Sequence, residues 1–468
     1  MYKKLRPGLV LAAVAVAQFM VALDMAVVNV ALPAIRTSLG FDPVDLSWVV
    51  HMYALTFGGF LLLGGRAGDL YGRRRLFLLG LVAFGLSSLL GGLAQAPWQL
   101  IAARAAQGVA AAAVAPAALA MLATTFTEGP ARVRALGVWS AVNAAGGALG
   151  VLAGGLLTEY AGWRWVMLIN IPIVLGALVL GVAAVPADGP RSRERLDVLG
   201  AVFATSGTGL LVLGVVRTDR HGWGSATTLG TLALAVALLA AFVLVERRTK
   251  APLVRLGLFR SRWVSGANVF VFLAAAGQFA AFYFVSLYMQ QVLGMSAAAT
   301  GAAFLPFSLG VIVGTVAATR LGASRSPRVS LIPGALLAAV GMAWFSRISP
   351  DGGFVADVLG PSTITSIGLG LCLAPVAAAA TTGVAPGEAG TASGILNSAR
   401  QLGGAIGLAS LATVAAHTSG SLNDGYANAL VVAAGLYVIA AVVAAVVLPR
   451  TKHVPDRPAA ELVPVETG

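Results

Sequence analysis

Apolar runs of about 20 residues, the length that carries an α-helix across the hydrocarbon of a bilayer, recur from near one end of this chain to near the other. Windows bounded by charges, Gly and Pro give fourteen: 9–33, 47–66, 76–95, 98–124, 135–158, 163–185, 197–216, 226–246, 263–288, 298–319, 329–346, 355–378, 391–417 and 425–448. Lipid offers no partner to a backbone N–H or C=O, so each run is confined to a helix. The expected class is therefore an all-α polytopic membrane protein. Composition agrees, since 58% of the 468 residues are hydrophobic, only 10% are charged and the mean hydropathy is +0.88.

Lys3, Lys4 and Arg6 precede the first run in the manner of a signal peptide, but a run of about 25 residues ending at Pro33 and followed by many others reads as a retained first helix. The single cysteine, Cys372, allows neither an intrachain disulfide nor a cysteine metal site.

Lys and Arg fix the expected orientation. Placing the N-terminus in the cytoplasm collects Lys3, Lys4 and Arg6, then Arg66 and Arg73 to Arg75, Arg132 and Arg134, Arg191, Arg193 and Arg195, the stretch Arg247 to Arg262, Arg320, Arg325 and Arg328, and Arg450, Lys452 and Arg457 on that side. The other side receives Arg36, Arg164, Arg217, Arg220 and Arg347. This positive-inside bias, with an even number of spans, predicts both termini in the cytoplasm and a multi-pass protein of the cell membrane. It also accounts for the net charge of +13 without nucleic acid; the expected partner of the arginines is a bilayer with anionic headgroups.

Ionisable groups deep in a span cost several kcal/mol and persist where they meet a cavity or a partner. Asp24, Arg104 and Arg400 are the three well inside, and Asp24 is the deeply placed carboxylate. At about 1.5 Å per residue, Asp24 lies about 13 Å and Arg104 about 9 Å below the same face, in spans of opposite direction, with Gln107 one turn beyond at the depth of Asp24. A carboxylate and a guanidinium at matched depth can form a fixed ion pair. Alternatively they form a titrating one: burial disfavours a charged carboxyl, a nearby guanidinium favours it, and a conformational change that alters either loads or releases a proton. Asn397, Arg400 and Gln401 follow helical spacing and either line a cavity or bond between helices.

Several segments resemble those of one family. GRAGDLYGRRR (65–75) looks like motif A of the major facilitator superfamily, with Gly65, Asp69, Gly72, Arg73 and Arg74 in register. LIAARAAQGVAAA (100–112) resembles motif B through Arg104, Gln107 and Gly108, and LDMAVVNVALP (23–33), which holds Asp24 and Asn29, resembles the first-helix motif of the fourteen-helix drug:proton antiporter branch. WRWVMLINIPI (163–173), YMQQVLGMS (288–296) and GILNSARQLGGAIG (394–407) are similar to that branch as well. NAAGGALGVLAGG (143–155) resembles motif C through Gly146, Gly150, Gly154 and Gly155, with Val151 where that motif usually has Pro. Ala26 replaces a hydroxyl usual in the first-helix motif, and Leu70 a basic residue usual in motif A.

The resemblance implies a major facilitator fold: two six-helix bundles plus two extra central transmembrane helices. The chain then divides into residues 1–185, the insert 186–262, residues 263–448 and a cytoplasmic tail 449–468. It implies alternating access about a midplane site, driven by protons and acting on a small-molecule substrate, by a chain expected to be a monomer. Asp24 would couple protons, with Arg104, Gln107 and Asn29 tuning it or touching substrate. Motif A would latch the bundles, Gly65 and Gly72 allowing a tight turn, and the motif C glycines would pack helices closely.

The function expected is proton-coupled efflux of amphipathic drug-like compounds, against export of one metabolite or antibiotic, or uncoupled facilitation. A membrane enzyme or receptor is the remoter alternative. His51, His221, His417 and His453 are scattered, no metal set or phosphate loop is recognisable, and neither metal nor organic cofactor is implied.

Overall fold

The computed structural model describes residues 7–42, 45–126, 129–184, 197–249, 252–322, 326–384 and 389–450. Over its described residues each of the fourteen expected spans falls on helix, and among the described residues twelve helices are long and apolar enough to cross a membrane. The helices are α1 (Pro7–Leu39), α2 (Trp48–Tyr71), α3 (Arg73–Gly92), α4 (Pro97–Thr125), α5 (Gly129–Tyr160), α6 (Arg164–Leu168), α7 (Asn170–Ala184), α8 (Val198–His221) and α9 (Ala226–Arg248). After them come α10 (Arg262–Leu287), α11 (Ala297–Ala303), α12 (Leu305–Gly322), α13 (Arg328–Phe345), α14 (Gly360–Thr381), α15 (Ala389–Ala416) and α16 (Leu422–Val446). Their lipid-side surfaces are apolar: Leu79, Leu86 and Leu90 on α3 and Val438, Ile439 and Val442 on α16 are exposed, as burial in hydrocarbon requires.

Two spans are broken where a single rod was expected. Span six divides at Ile169 into α6 and α7, and span ten at Phe304 into α11 and α12. In each case a proline, Pro172 or Pro306, follows by a few residues; it withholds the N–H that would have bonded the carbonyl four residues back. The first span also runs on past Pro33 to Leu39. The carbonyl that Pro33 leaves free is that of Asn29, and it accepts the Ser286 hydroxyl from α10 at 3.3 Å, while Val30 O accepts Gln290 Nε2 at 3.0 Å. A proline thus becomes a junction between the two halves.

α1 to α7 pack with one another, and α10 to α16 do the same. Between them α8 and α9 form a hairpin that rests on α2 and α15. In the first group, glycines set the approach of α5 to α1: a Cβ at Gly146 would lie 2.8 Å from Phe19 O and one at Gly150 2.8 Å from Leu23 O, and at Gly154 it would press still closer on Val27 O. Gly155 looks the other way, where a Cβ would collide with Ala297 O of α11. The same stripe therefore seals a bundle on one side and joins the halves on the other, on the face opposite the arginine-rich loops.

Candidate functional site: a buried ion pair in the first bundle

Asp24 is fully buried and saturated with donors. Arg104 Nη1 donates to Asp24 Oδ2 at 2.6 Å, while Asn170 Nδ2 at 2.8 Å and Gln107 Nε2 at 3.2 Å donate to Oδ1. Arg104, 1% exposed, places its guanidinium 4.3 Å from the centre of the Tyr53 ring and gives Nε to Val49 O at 3.1 Å. Gln107 accepts a second Arg104 contact at 2.9 Å and donates to Ser88 Oγ at 2.8 Å. Five helices, α1, α2, α3, α4 and α7, thus meet at one carboxylate. Burying a charge pair is tolerable only when the remaining lone pairs and protons are matched in this way.

The helix breaks and spacings explain the convergence. Arg104 and Gln107, three residues apart, share one face of α4. Asn170 is the first residue of α7, so the break at Ile169 is what delivers its amide to Asp24. Asp24 points into the bundle, whereas the half-buried residues Gln18, Met25 and Asn29, at helical spacing along α1, lie on another face. On that face Gln18 Nε2 donates to Asn143 Oδ1 at 2.6 Å and Met25 Sδ lies 3.8 Å from Gln401 Nε2 of α15. Asn29 is therefore outside the Asp24 cluster; its amide returns to Met25 O at 3.1 Å.

On α15, Arg400 and Asn397 are half-buried and bond each other at 2.6 Å, and Gln401 is buried at 2% exposure. Neighbouring Ser398 donates to Gly58 O of α2 at 3.0 Å. The segment's polar groups both join helices across the halves and pair among themselves.

At motif A the structure assigns the turn to one glycine. Gly72, with φ of 106°, is the single residue between α2 and α3. Gly65 lies inside α2, and a Cβ there would meet Pro116 at an ordinary 3.6 Å; its expected part in the turn is corrected, because α2 continues to Tyr71. The close approach belongs to Gly64, where a Cβ would run into Ala112 O on α4. Arg74 Nη2 donates to Val182 O of α7 at 3.3 Å, and Arg73 stands beside it at the start of α3; the Asp69 side chain lies outside the described residues. Among the described residues no three His, Cys, Asp or Glu side chains converge on a common point.

Asn170, Ser88 and Tyr53 are members of the cluster that sequence reasoning missed. Asn170 lies in the conspicuous segment 163–173, and its neighbour Pro172 was the available sign that the helix breaks there.

A lipid-facing helical shell around polar contacts between two helical groups is the build of a membrane transporter. The chain belongs to the Major Facilitator Superfamily, whose profile matches residues 14–408. It is similar to the cephamycin export protein CmcT of Amycolatopsis lactamdurans, 46% identical over 441 residues, 92% of this chain and 90% of that one. It is also similar to the puromycin resistance protein pur8 of Streptomyces alboniger, 41% identical over 469 residues, 96% and 93% of the two chains. Among solved structures, a POT family peptide transporter superposes with a TM-score of 0.67 at 16% identity, covering 97% of this chain and 98% of that one. The xylose transporter XylE of E. coli, in an inward-open conformation, gives 0.63 at 16% identity, with 94% and 96% covered.

Proposed function

We propose that the protein exports antibiotic-class or amphipathic drug-like molecules across the cell membrane in exchange for protons. The observation that carries the coupling half of this reading is the Asp24 cluster: one carboxylate held by three donors on two other helices. Drawing Arg104 or Asn170 away uncovers a buried charge, and taking up a proton removes that charge. Helix packing and protonation are thereby linked. Export is supported by the relatives, one named for cephamycin export and one for puromycin resistance. Because both names concern a single antibiotic, a substrate range restricted to one compound fits as well as a broad one.

In this reading residues 1–185 and 263–448 are the two moving bundles, 186–262 the insert and 449–468 a tail, with both termini in the cytoplasm and one chain as the working unit. Ser286–Asn29, Gln290–Val30 and the Glu159 carboxylate, which accepts Ala298 N at 2.8 Å, join the halves toward the non-cytoplasmic face. They support a state closed on that side, with substrate arriving from the cytoplasm to the half-buried face of α1 that carries Gln18, Met25 and Asn29 and to Asn397 and Arg400 on α15. Motif A, through Gly72, Arg73, Arg74 and Asp69, is the latch for the reverse state.

The test uses proteoliposomes with an imposed pH gradient, a cephamycin-type β-lactam, puromycin and a panel of amphipathic cations. Gradient-driven movement of at least one compound, abolished in Asp24→Asn while its binding persists, is expected. Gradient-driven transport unchanged in Asp24→Asn makes the ion pair structural and ends the coupling reading.

A further inference from the structure

At the arginine-rich face, the inserted hairpin carries a pair of buried acids that the Asp24 cluster does not touch. Asp197 is the residue before α8, and its Oδ1 accepts Gly200 N at 2.8 Å. Glu246 lies in the last turn of α9, and its Oε2 accepts Val254 N at 3.0 Å. The two side chains are 8% and 4% exposed. Among the described residues, their other oxygens, Asp197 Oδ2 and Glu246 Oε1, have no hydrogen-bond partner of normal geometry. These two oxygens border the same spot, since a Cβ added to Gly200 would stand 2.7 Å from the first and 2.8 Å from the second. The side chains are within hydrogen-bonding reach of each other.

Two ionised carboxylates hold acceptors only and cannot hydrogen-bond; with one proton between them, one becomes the donor and both orphan oxygens are satisfied. The surroundings select a proton over a metal. The pair borders an apolar cluster of Ala201, Leu253, Val254, Leu258, Val264 and Ile395, which adds no side-chain oxygen to the six or more ligands that a hard cation takes. The charged residues on the elements that pack here are Arg247 and Arg248 on α9, Arg255 and Arg260 between α9 and α10, Arg262 on α10, Arg66 on α2 and Arg400 on α15. Arg247, Arg248, Arg255, Arg260 and Arg262 are exposed, and the charge that bears on the Glu246 carboxyl is that of Asp197. Arg191, Arg193, Glu194, Arg195 and Lys250 lie outside the described residues.

We propose that Asp197 and Glu246 share a single proton and form a second protonation site, which holds the strap 252–260 against the insert while protonated and frees it when the proton leaves. On release the O–H bond breaks, the proton passes to water, and two like charges remain face to face in an apolar pocket. Glu246 then withdraws, and Val254 N loses its acceptor. Leu253, Val254 and Leu258 of the strap pack with Val264 of α10, Ile395 of α15 and Leu62 of α2. The strap therefore packs against residues of both halves at the arginine-rich side, and the proton fastens the strap there. The site works through strap packing, whether or not Asp24 couples transport.

Hydrogen exchange of the full chain in lipid nanodiscs, corrected for intrinsic rates, tests this without transport. From about pH 5 to about pH 9, protection of amides 253–258 should fall at least about tenfold in the wild type. In E246Q the amide donates to Asp197 with no proton required, so protection should stay flat across pH; D197N gives the same test should E246Q misfold. G200A, whose Cβ displaces both oxygens, should lose protection at every pH. A flat wild-type profile, or a wild-type pH dependence retained in both E246Q and D197N, overturns the proposal. So does restoration of protection at high pH by sodium or calcium ions, which would make the site a cation site.

Discussion

The two halves of this transporter hold their interiors together by different means. In the first, α1, α2, α3, α4 and α7 are tied to one another through the Asp24–Arg104 pair and its amides. In the second, the space between α10, α11, α12, α13, α14 and α16 is lined mainly by apolar and aromatic side chains, with Gln278, Ser362 and Thr365 among them. Phe282 stacks on Phe304 with ring centres 5.2 Å apart, and a cavity opens beside Phe307, Phe345 and Val358. Charge networks have few satisfactory arrangements, whereas apolar cores tolerate rearrangement as long as volume is kept. The first half is thus suited to switching between discrete states, and the second to yielding.

The largest effect that can break this comparison is Arg104→Ala. It leaves the Asp24 charge buried without its strongest partner, at a cost of about 3–5 kcal/mol. Thermal unfolding in detergent should report that loss, and gradient-driven transport should vanish. Neutralising both partners sharpens the point: Asp24→Asn combined with Arg104→Ala should unfold at a higher temperature than Arg104→Ala alone, because no unpaired charge is then left. A double variant as unstable as the single would mean that the side chains contribute by packing and not by charge.

Next comes the glycine stripe that lets α5 reach α1. Gly154→Ala drives a methyl group into the Val27 carbonyl, a backbone atom that cannot swing aside. Overpacking of this kind costs about 1–3 kcal/mol. Since Val27 lies three residues from Asp24, the displacement should also slow transport more than the lost stability explains. Gly147→Ala, where a Cβ meets nothing within 4 Å, is the matched control and should leave both readouts unchanged.

Much of this was legible in the sequence, for physical reasons that also mark where legibility stopped. Hydrocarbon forces the backbone into helices, so the fourteen runs can be counted from the residues alone. A charge in hydrocarbon is expensive enough to stand out, and depth arithmetic then brings Asp24, Arg104 and Gln107 to one level. Asn170 and Ser88 give no comparable signal, because neutral amides and hydroxyls are ordinary in membrane helices. Asp197 and Glu246 escape for the opposite reason: they sit at span ends, where charges are unremarked, and only the fold shows them buried and facing each other. The glycine that makes a close contact, Gly64, stands just before motif A and differs from its neighbour Gly65 by the face of α2 it occupies. That distinction needs the position of α4.

The smallest expected effect lies in the second half. Tyr437 on α16 is 1% exposed, and its hydroxyl, like that of Thr365 across the cavity, has no hydrogen-bond partner among the described residues. A buried hydroxyl without a partner contributes nothing to offset its desolvation. Tyr437→Phe removes that oxygen and keeps the ring, so stability should change by less than about 0.5 kcal/mol or rise slightly, and transport should continue. If instead Tyr437→Phe lowers stability by about 1 kcal/mol or more, the hydroxyl has a partner after all. A water in the cavity bridging it to Thr365 would supply one, and Thr365→Val should then cost a similar amount by the same thermal measurement. The second half would in that case be tied by a polar bridge of its own, and the contrast between a switching and a yielding half would fail at this point.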